Sequence, residues 1–555
     1  MIGTTPQPPQ KPVHLGGGEP ARATRNDSIA FVSPFDRLPP WAFLVLACVT
    51  ATFTSFMAVP IFAVSWPCFF LMYSCAIDRL SWKLPAGALC VTTFFSIGGA
   101  TYFKDGRSFA ASYFATFGFG IAILLLTYCI PALVQVFVWR RAPNLELSSL
   151  AFPTLLTGLW QLWYRFGPTG AAGSPAMALA FQPELRQLTA IFGEISLVFV
   201  IGWIASVGAG LLINRVSKRH LLVFLSCGVA VLFYGGVRFG SGRGMWLQDI
   251  ADWPQAAKPV AEKQPLNFEH PFGGDKLRVA CIVPSDDASF DDIAGAANAA
   301  LASAADIVIF SETSAYAPKV LSPHINFAQA PAAFPYIVTT FVDSKMSVAE
   351  YNTISLFNGS GTWDTYAKNR PVPILESDIT ASNKRTHPVR LTFGEKGQIN
   401  LNVGLSICFD FDFPYLFKDS YGVDLMLGAS NYWSSIGWAL WGDNIFRAIE
   451  NGWTLYKCSR NGMSGAADPY GRELASKPTT TDEIYMTEIP VQRHVWTAYR
   501  NAGGWLFGWI CLGFIPFYCA LAYWGKQAEE KCPAWLKRNA SGEEAAVAKQ
   551  AAVVP

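Results

Sequence analysis

Long apolar stretches constrain the fold of this chain more than any other feature of its sequence. Crossing a hydrocarbon core of about 30 Å takes roughly 20 residues of helix, and eight stretches reach or approach that length: 41–58, 60–77, 84–103, 114–139, 150–164, 188–213, 221–237 and 505–524. Since lipid cannot satisfy backbone N–H and C=O groups, such spans must be helices packed as a bundle. A composition with 51% hydrophobic and only 15% charged residues agrees with this reading. We therefore predict a multi-span α-helical membrane bundle of about eight transmembrane helices.

The distribution of basic residues predicts the orientation of this bundle. Short cytoplasmic loops are enriched in lysine and arginine, and the richest groups alternate with the spans so that all fall on one side: Arg22, Arg25 and Arg37; Arg79 and Lys83; Arg140 and Arg141; Arg215, Lys218 and Arg219; Lys526, Lys531, Lys537 and Arg538. Both termini are thus predicted to be cytoplasmic, and the large polar region before the last span extracytoplasmic. A net charge of +2 without a basic block gives no indication of a nucleic-acid partner.

The polar region follows the pattern of an α/β domain. Residues 276–283 and 306–310 read as short buried strands, and 290–305 has the apolar spacing of a helix between them. Apolar runs at 402–407, 424–428 and 454–458 repeat the pattern around a second helix at 441–450. The predicted division is a disordered cytoplasmic tail, a seven-span bundle, a linker, a catalytic domain, a final transmembrane helix and a cytoplasmic tail, at 1–40, 41–237, 238–274, 275–497, 498–525 and 526–555.

The cysteines and histidines argue against metal and redox chemistry. Only three of the twelve cysteines lie in the polar region, no CxxC occurs, and the six histidines are scattered. This is neither the density of a disulfide framework nor the spacing of a zinc site. We therefore expect no metal and no cofactor.

Three segments place a reactive side chain at or beyond the end of a predicted strand, where loops converge into a site on sheets of this kind. Glu312 follows the buried strand at 306–310 and is placed to act as a general base. Lys368 lies in a loop restricted by nearby prolines, where its ammonium could stabilise an oxyanion. Cys408 ends the apolar run at 402–407 and precedes a turn with carboxylates, as a nucleophile on an elbow would. Each residue alone is more often structural.

Together and in this order, the three segments resemble the Glu-Lys-Cys triad of the nitrilase (carbon-nitrogen hydrolase) superfamily. The likeness continues in three downstream segments: Leu427-Gly-Ala-Ser-Asn-Tyr-Trp433, Phe446-Arg-Ala-Ile-Glu-Asn-Gly452 and Ser459-Arg-Asn-Gly-Met-Ser464. Seven spans before the domain and one after it are similar to the layout of the apolipoprotein N-acyltransferase family. The resemblance implies an extracytoplasmic nitrilase-like α-β-β-α sandwich, held in a bacterial inner membrane.

The resemblance also implies a reaction and its partners. Cys408 would accept a fatty acyl chain from a phospholipid as a thioester, and the amine of a diacylglyceryl-cysteine lipoprotein would then receive it, with the enzyme acting as a monomer. Supporting residues would be Glu376, Asp410 and, through a backbone amide, Phe409. Candidates for lining the substrate access path are Asn431, Tyr432 and Trp433. Glu194, in a predicted span, is either functional or hydrated at the outer boundary.

Two other functions remain open at this point. A membrane-anchored nitrilase-type amidase would use the same triad but pass the acyl group to water. A non-catalytic membrane protein would keep the nitrilase-like domain without its chemistry. Departures from the family pattern support both alternatives, such as Ser311 in place of the usual proline and Asp410 in place of the usual glutamate.

Overall fold

The computed structural model describes residues 38–54, 60–77, 83–102, most of 113–142, 146–213, 215–240 and 276–524, with short gaps at 333, 347–348, 374, 395–396 and 433–435. The predicted tails at 1–40 and 526–555 and the linker at 238–274 lie outside these residues, apart from 38–40 and 238–240.

Where they are described, the apolar stretches before residue 241 are helical. They are α1 (Pro40–Thr52), α2 (Pro60–Ala76), α3 (Lys83–Tyr102), α4 (Ile130–Arg141), α5 (Ala151–Phe166), α6 (Pro183–Arg186), α7 (Thr189–Phe192), α8 (Ile195–Leu212) and α9 (Lys218–Gly240). A π-helical segment, Leu124–Cys129, runs directly into α4. Among the described residues, four segments are long and apolar enough to cross a membrane: Leu124–Arg141, Ile195–Leu212, Lys218–Gly240 and Gly504–Trp524. The total of eight spans and their orientation stay predictions.

In the part of the chain that the structure describes, twelve strands form two mixed sheets. The first sheet has the order β12-β1-β2-β3-β4-β5 and consists of β1 (Lys276–Val283), β2 (Ile307–Phe310), β3 (Tyr336–Met346), β4 (Ala349–Asn358), β5 (Gly361–Ala367) and β12 (Glu483–Pro490). The second has the order β11-β10-β9-β8-β7-β6 and consists of β6 (Val389–Phe393), β7 (Ile399–Ile407), β8 (Leu425–Asn431), β9 (Thr454–Arg460), β10 (Gly462–Ala467) and β11 (Glu473–Thr479). Strands β1, β2 and β3 run parallel to one another in the first sheet, and β7, β8 and β9 do so in the second.

The two sheets pack face to face, with a helix on each outer face. Apolar side chains of both sheets, such as Ile309 and Leu427, share one core. The remaining helices are α10 (Phe290–Ala302), α11 (Pro318–Leu321), α12 (Gly437–Asn451), α13 (Ala498–Asn501), α14 (Phe507–Gly513) and α15 (Ile515–Trp524). Leu301 of α10 packs on the outer face of the first sheet, and Ile449 of α12 packs on that of the second. These layers form the expected α-β-β-α sandwich.

Two of the predicted spans are interrupted. The stretch 188–213 contains α7 and then Gly193, whose φ of +79° is a conformation that L side chains rarely adopt. The chain therefore turns there, and the long helix α8 begins only at Ile195. In the last span, Pro516 lies in the first turn of α15, where a missing N–H costs nothing, and the preceding helix α14 ends at Gly513.

A disulfide joins the two sheets, and the sequence analysis did not anticipate this bond. Cys281 of β1 bonds to Cys458 of β9, with 5.2 Å between their Cα atoms. The two cysteines are separated by 177 residues, so only the face-to-face packing of the sheets brings them together. A bond closing so long a loop restricts the unfolded chain and stabilises the domain by about 2–4 kcal/mol.

Candidate active site

Cys408 directly follows β7 and begins a short 3₁₀ helix, Cys408–Asp412, so the chain turns sharply at this residue. Its φ of +40° is rare for a residue with a side chain, and strained backbone of this kind concentrates at functional sites. A hydrogen bond fixes this turn to the helical region: the Ala171 N–H donates to the Asp412 carbonyl at 2.6 Å. Burial and the Glu312 carboxylate raise the pKa of the Cys408 thiol, while the Lys368 and Lys457 ammonium groups act in the opposite direction. The resting thiol is therefore protonated and needs a base.

Glu312 is linked to Cys408 through the backbone of Asn431. The Cys408 thiol donates to the Asn431 carbonyl at 3.8 Å, and the Asn431 N–H donates to Glu312 Oε2 at 2.9 Å. The other carboxylate oxygen accepts from Asn352 Nδ2 at 2.8 Å. Only 3% of Glu312 is exposed, so the carboxylate is held in place by its neighbours rather than by water.

Lys368 completes the cluster. It follows β5 and is 1% exposed, and its Nζ donates to Glu312 Oε1 at 2.8 Å and to Glu376 Oε1 at 2.7 Å. Burial alone would lower the pKa of Lys368, but Glu312, Cys408 and Glu376 together raise it, so the side chain is an ammonium at any working pH. The structure thus brings the three predicted side chains together, and it places Glu376 where the sequence analysis put a supporting residue.

Asp410 positions the loop that carries Lys368. Its carboxylate accepts from the Arg370 N–H at 2.7 Å, the Asn369 N–H at 3.1 Å and the Tyr366 hydroxyl at 2.7 Å. Because Asp410 lies two residues after Cys408, these bonds tie the nucleophile turn to the lysine loop. Complete burial raises the pKa of Asp410 to about 6.

Lys457 is a second cation in the site, and the sequence analysis missed it. The residue is fully buried on β9, and its Nζ donates to the Tyr432 hydroxyl and to Asn444 Oδ1. Burial lowers the pKa of Lys457 to about 8, while Cys408 and nearby acids act to raise it. A lysine inside the apolar run at 454–458 was the signal that could have pointed to it, since a buried ammonium needs polar partners.

The three predicted access residues have different surroundings. Asn431 is exposed at the end of β8. Tyr432 is buried, and its hydroxyl is bonded to Lys457. Its phenol needs a polar partner, and the buried ammonium supplies one. Trp433 lies outside the described residues. Phe409 packs edge-on against Phe413, with 5.3 Å between the ring centroids.

A pair of buried carboxyls beside the nucleophile turn predicts a pH dependence of stability. Asp412 and Asp443 face each other near Lys457 and Arg447, and burial raises the pKa of Asp412 from its ordinary 3.8 to about 7. The folded state therefore binds a proton that the unfolded state releases between these values. The stability that protonated Asp412 contributes is fully present below about pH 3.8, and it is lost as the pH rises through about 7.

Over this pH range, we expect the free energy of unfolding to fall by an amount on the order of a few kcal/mol. The unfolding temperature of the protein should fall with it. Asp443→Asn should flatten the curve, because burial also raises the pKa of Asp443 and the amide has no proton to release. Thermal unfolding of both proteins across the range checks this. Parallel curves for the two proteins would contradict it.

Comparisons with known proteins agree with the resemblance reached from the triad segments. No known protein-family model matches the chain. Apolipoprotein N-acyltransferase 2 of Treponema denticola is 30% identical over 112 residues, which are 19% of this chain and 21% of that protein. The chain thus matches about a fifth of the length of its curated relative. This relative carries the family name that the sequence suggested, which confirms the resemblance within the matched segment.

Solved structures similar to the chain include an amidase from Nesterenkonia sp., with 19% identity, a TM-score of 0.30, and coverage of 39% of this chain and 91% of the amidase. A variant of the amidase from Nesterenkonia sp. AN1 is 19% identical, with a TM-score of 0.32 and coverage of 42% and 97%. In that variant, the acetamide moiety of fluoroacetamide is covalently attached to the active-site cysteine.

Proposed function

We propose that this protein is a membrane acyltransferase that moves a fatty acyl chain from a phospholipid, through a thioester on Cys408, to the N-terminal amine of a diacylglyceryl-cysteine lipoprotein. The observation that carries the proposal is the convergence of Glu312, Lys368 and Cys408 around the backbone of Asn431. The family name of the curated relative supports the choice of donor and acceptor.

The first half of the reaction forms the thioester. Glu312 takes the proton of the Cys408 thiol, and the sulfur attacks the ester carbonyl carbon of the phospholipid. Lys368 and the backbone amide of Phe409 stabilise the negative oxygen of the tetrahedral intermediate. The intermediate collapses with cleavage of the ester C–O bond, and Glu312 returns the proton to the leaving oxygen, so that a lysophospholipid departs.

The second half transfers the acyl group. The lipoprotein amine attacks the thioester carbonyl, and Glu312 accepts a proton from the nitrogen. The C–S bond breaks as the amide forms, and Glu312 passes this proton to the departing sulfur, which restores the Cys408 thiol. A thioester suits this role because it reacts readily with an amine while buried surroundings exclude water. Cys408 is only 4% exposed in the resting structure.

The membrane bundle fits this reaction, because moving a lipid chain out of the bilayer costs about 0.8 kcal/mol per CH₂. The thiol must therefore be reached from the membrane surface. An extracytoplasmic position for the domain is supported by the Cys281–Cys458 disulfide, since disulfides persist in oxidising compartments such as the bacterial periplasm.

The test is detection of the acyl-enzyme by mass spectrometry after incubation with phospholipid. We expect one acyl group on Cys408, and none in Cys408→Ala. Cys227→Ala and Cys519→Ala are matched controls, since both remove an exposed free cysteine, and both should keep the acyl group. Acylation that persists in Cys408→Ala would refute the assignment.

The same experiment separates the alternatives. Addition of a diacylglyceryl-cysteine peptide should discharge the thioester and yield the N-acylated peptide. Release of free fatty acid or ammonia without peptide acylation would instead indicate an amidase or hydrolase. A Cys408 thiol that neither acylates nor reacts with alkylating reagents would indicate a non-catalytic protein.

A further inference from the structure

Two arginines converge on one tyrosine ring where the helical region meets the sandwich. Arg165, in the last turn of α5, places its guanidinium carbon 4.2 Å from the centroid of the Tyr415 ring. The guanidinium carbon of Arg370 lies 5.5 Å from the same centroid, and its Nε donates to the Tyr415 hydroxyl at 2.7 Å. Both arginines are exposed, so their remaining N–H groups are open to a ligand.

Within the described part of the chain, neither Arg165 nor Arg370 forms an ion pair with an aspartate or glutamate. Two guanidinium groups beside one ring repel each other, and an anion bound between them would offset this repulsion. The planar fork of N–H donors on arginine matches the oxygens of a phosphate group better than any other side chain does.

A series of packed aromatic rings connects this pair to the nucleophile. Phe409 directly follows Cys408 and packs against Phe413, and the Phe413 ring lies 6.0 Å from Tyr415. The guanidinium of Arg370 lies 5.2 Å from the Phe413 ring. The backbone N–H of Arg370 is also bonded to Asp410, two residues beyond the nucleophile. The pair is therefore fixed relative to the thiol by hydrogen bonds and ring packing.

We propose that Arg165 and Arg370, with Tyr415 between them, bind the phosphate of the phospholipid acyl donor and so hold its ester carbonyl at Cys408. This inference rests on the proposed function and adds the residues that recognise the donor. In a glycerophospholipid only a few bonds separate the phosphate from the ester carbonyls. A phosphate held beside Tyr415 would thus leave an ester within reach of the adjacent nucleophile turn.

The experiment compares two acyl donors that carry the same chains, a phospholipid and the diacylglycerol that lacks its phosphate. Acylation of Cys408 in the full-length protein is followed by mass spectrometry in mixed micelles, as a function of donor concentration. For Arg165→Gln and Arg370→Gln we expect KM for the phospholipid to rise by roughly tenfold each, with a smaller change in kcat. KM for the diacylglycerol should not change, and this activity also reports that the variants are folded.

Three comparisons sharpen the result. Arg165→Lys and Arg370→Lys keep the positive charge but lose the planar fork of N–H donors. Their KM for the phospholipid should therefore lie between that of the unmodified protein and that of the glutamine variants. Arg278→Gln is the matched control, because it removes an exposed arginine of β1 that pairs with Glu488, and it should behave like the unmodified protein. Inorganic phosphate should compete with the phospholipid only weakly, because it lacks the acyl chains; phosphate that binds to the arginine pair without raising the apparent KM for the phospholipid would mean that free phosphate is the ligand and would overturn the headgroup assignment.

An unchanged KM for the phospholipid in the Arg165→Gln, Arg370→Gln double variant would refute this inference while leaving the acyltransferase proposal intact. If neither donor acylates Cys408 in the unmodified protein, the proposed function fails, and the headgroup assignment fails with it.

Discussion

Glu312→Gln should slow acylation of Cys408 by about 10²- to 10⁴-fold, the range that a positioned general base contributes. The substitution keeps the size of the side chain and an oxygen that can accept from Asn352, but it removes the group that takes the thiol proton. Burial keeps this thiol protonated, so without the base very little thiolate is available. Single-turnover acylation by phospholipid, followed by mass spectrometry, measures the change.

Glu376→Gln is the matched control for this prediction. Both carboxylates bond to Lys368, but only Glu312 also accepts from Asn431, whose carbonyl accepts from the thiol. Glu376 instead accepts from the Val372 N–H at 2.6 Å and orders the lysine loop. We therefore expect a clearly smaller loss of rate for Glu376→Gln. Equal losses in the two variants would mean that Glu312 acts only by holding Lys368, and the role of general base would have to be abandoned.

Two of the three triad residues that the sequence predicted, Glu312 and Cys408, lie at the ends of strongly apolar strands. Glu312 follows β2 and Cys408 follows β7, and the carboxyl ends of such strands meet at one edge of each sheet. A run of buried residues that stops at a reactive side chain is readable in a single sequence. The two sheets then face each other and bring the two residues together.

The parts that were missed depend on contacts between distant segments. Lys457 read as one more residue of a buried strand, and nothing local revealed Tyr432 and Asn444 as its partners. The backbone of Asn431 connects base and nucleophile, a role that no side chain encodes. The Cys281–Cys458 disulfide joins strands of different sheets, so cysteine spacing could not predict it.

Glu194 illustrates the same limit in the helical region. The sequence placed it in an apolar span, as a functional residue or a hydrated one at the boundary. In the structure it is 1% exposed, and its Oε1 accepts from the Tyr164 hydroxyl at 2.7 Å. Its carboxylate pairs with Arg447 of α12, which lies 253 residues later. This ion pair joins the start of the apolar helix α8 to α12 of the sandwich. The spacing of apolar residues in these two helices gives no indication of it.

Arg447→Met should destabilise the folded protein by about 3–5 kcal/mol, the usual cost of removing one partner from a buried ion pair. Arg447 is fully buried between two acids, and besides Glu194 it pairs with Glu450 at 3.0 Å. Methionine fills a similar volume, so the loss is one of charge rather than of packing. Glu194 and Glu450 would be left buried without their cation. Thermal unfolding of the full-length protein in detergent micelles measures the effect.

Arg278→Met is the matched control, because Arg278 pairs with Glu488 at 3.2 Å but with half of its side chain exposed. Exposed pairs contribute about 0–1 kcal/mol, so this variant should unfold near the temperature of the unmodified protein. The difference between the two variants isolates the cost of leaving carboxylates uncompensated in the interior. If Arg447→Met unfolds no earlier than Arg278→Met, the acids beside Arg447 must be protonated in the folded state, and the ion pair cannot be what joins α8 to the sandwich.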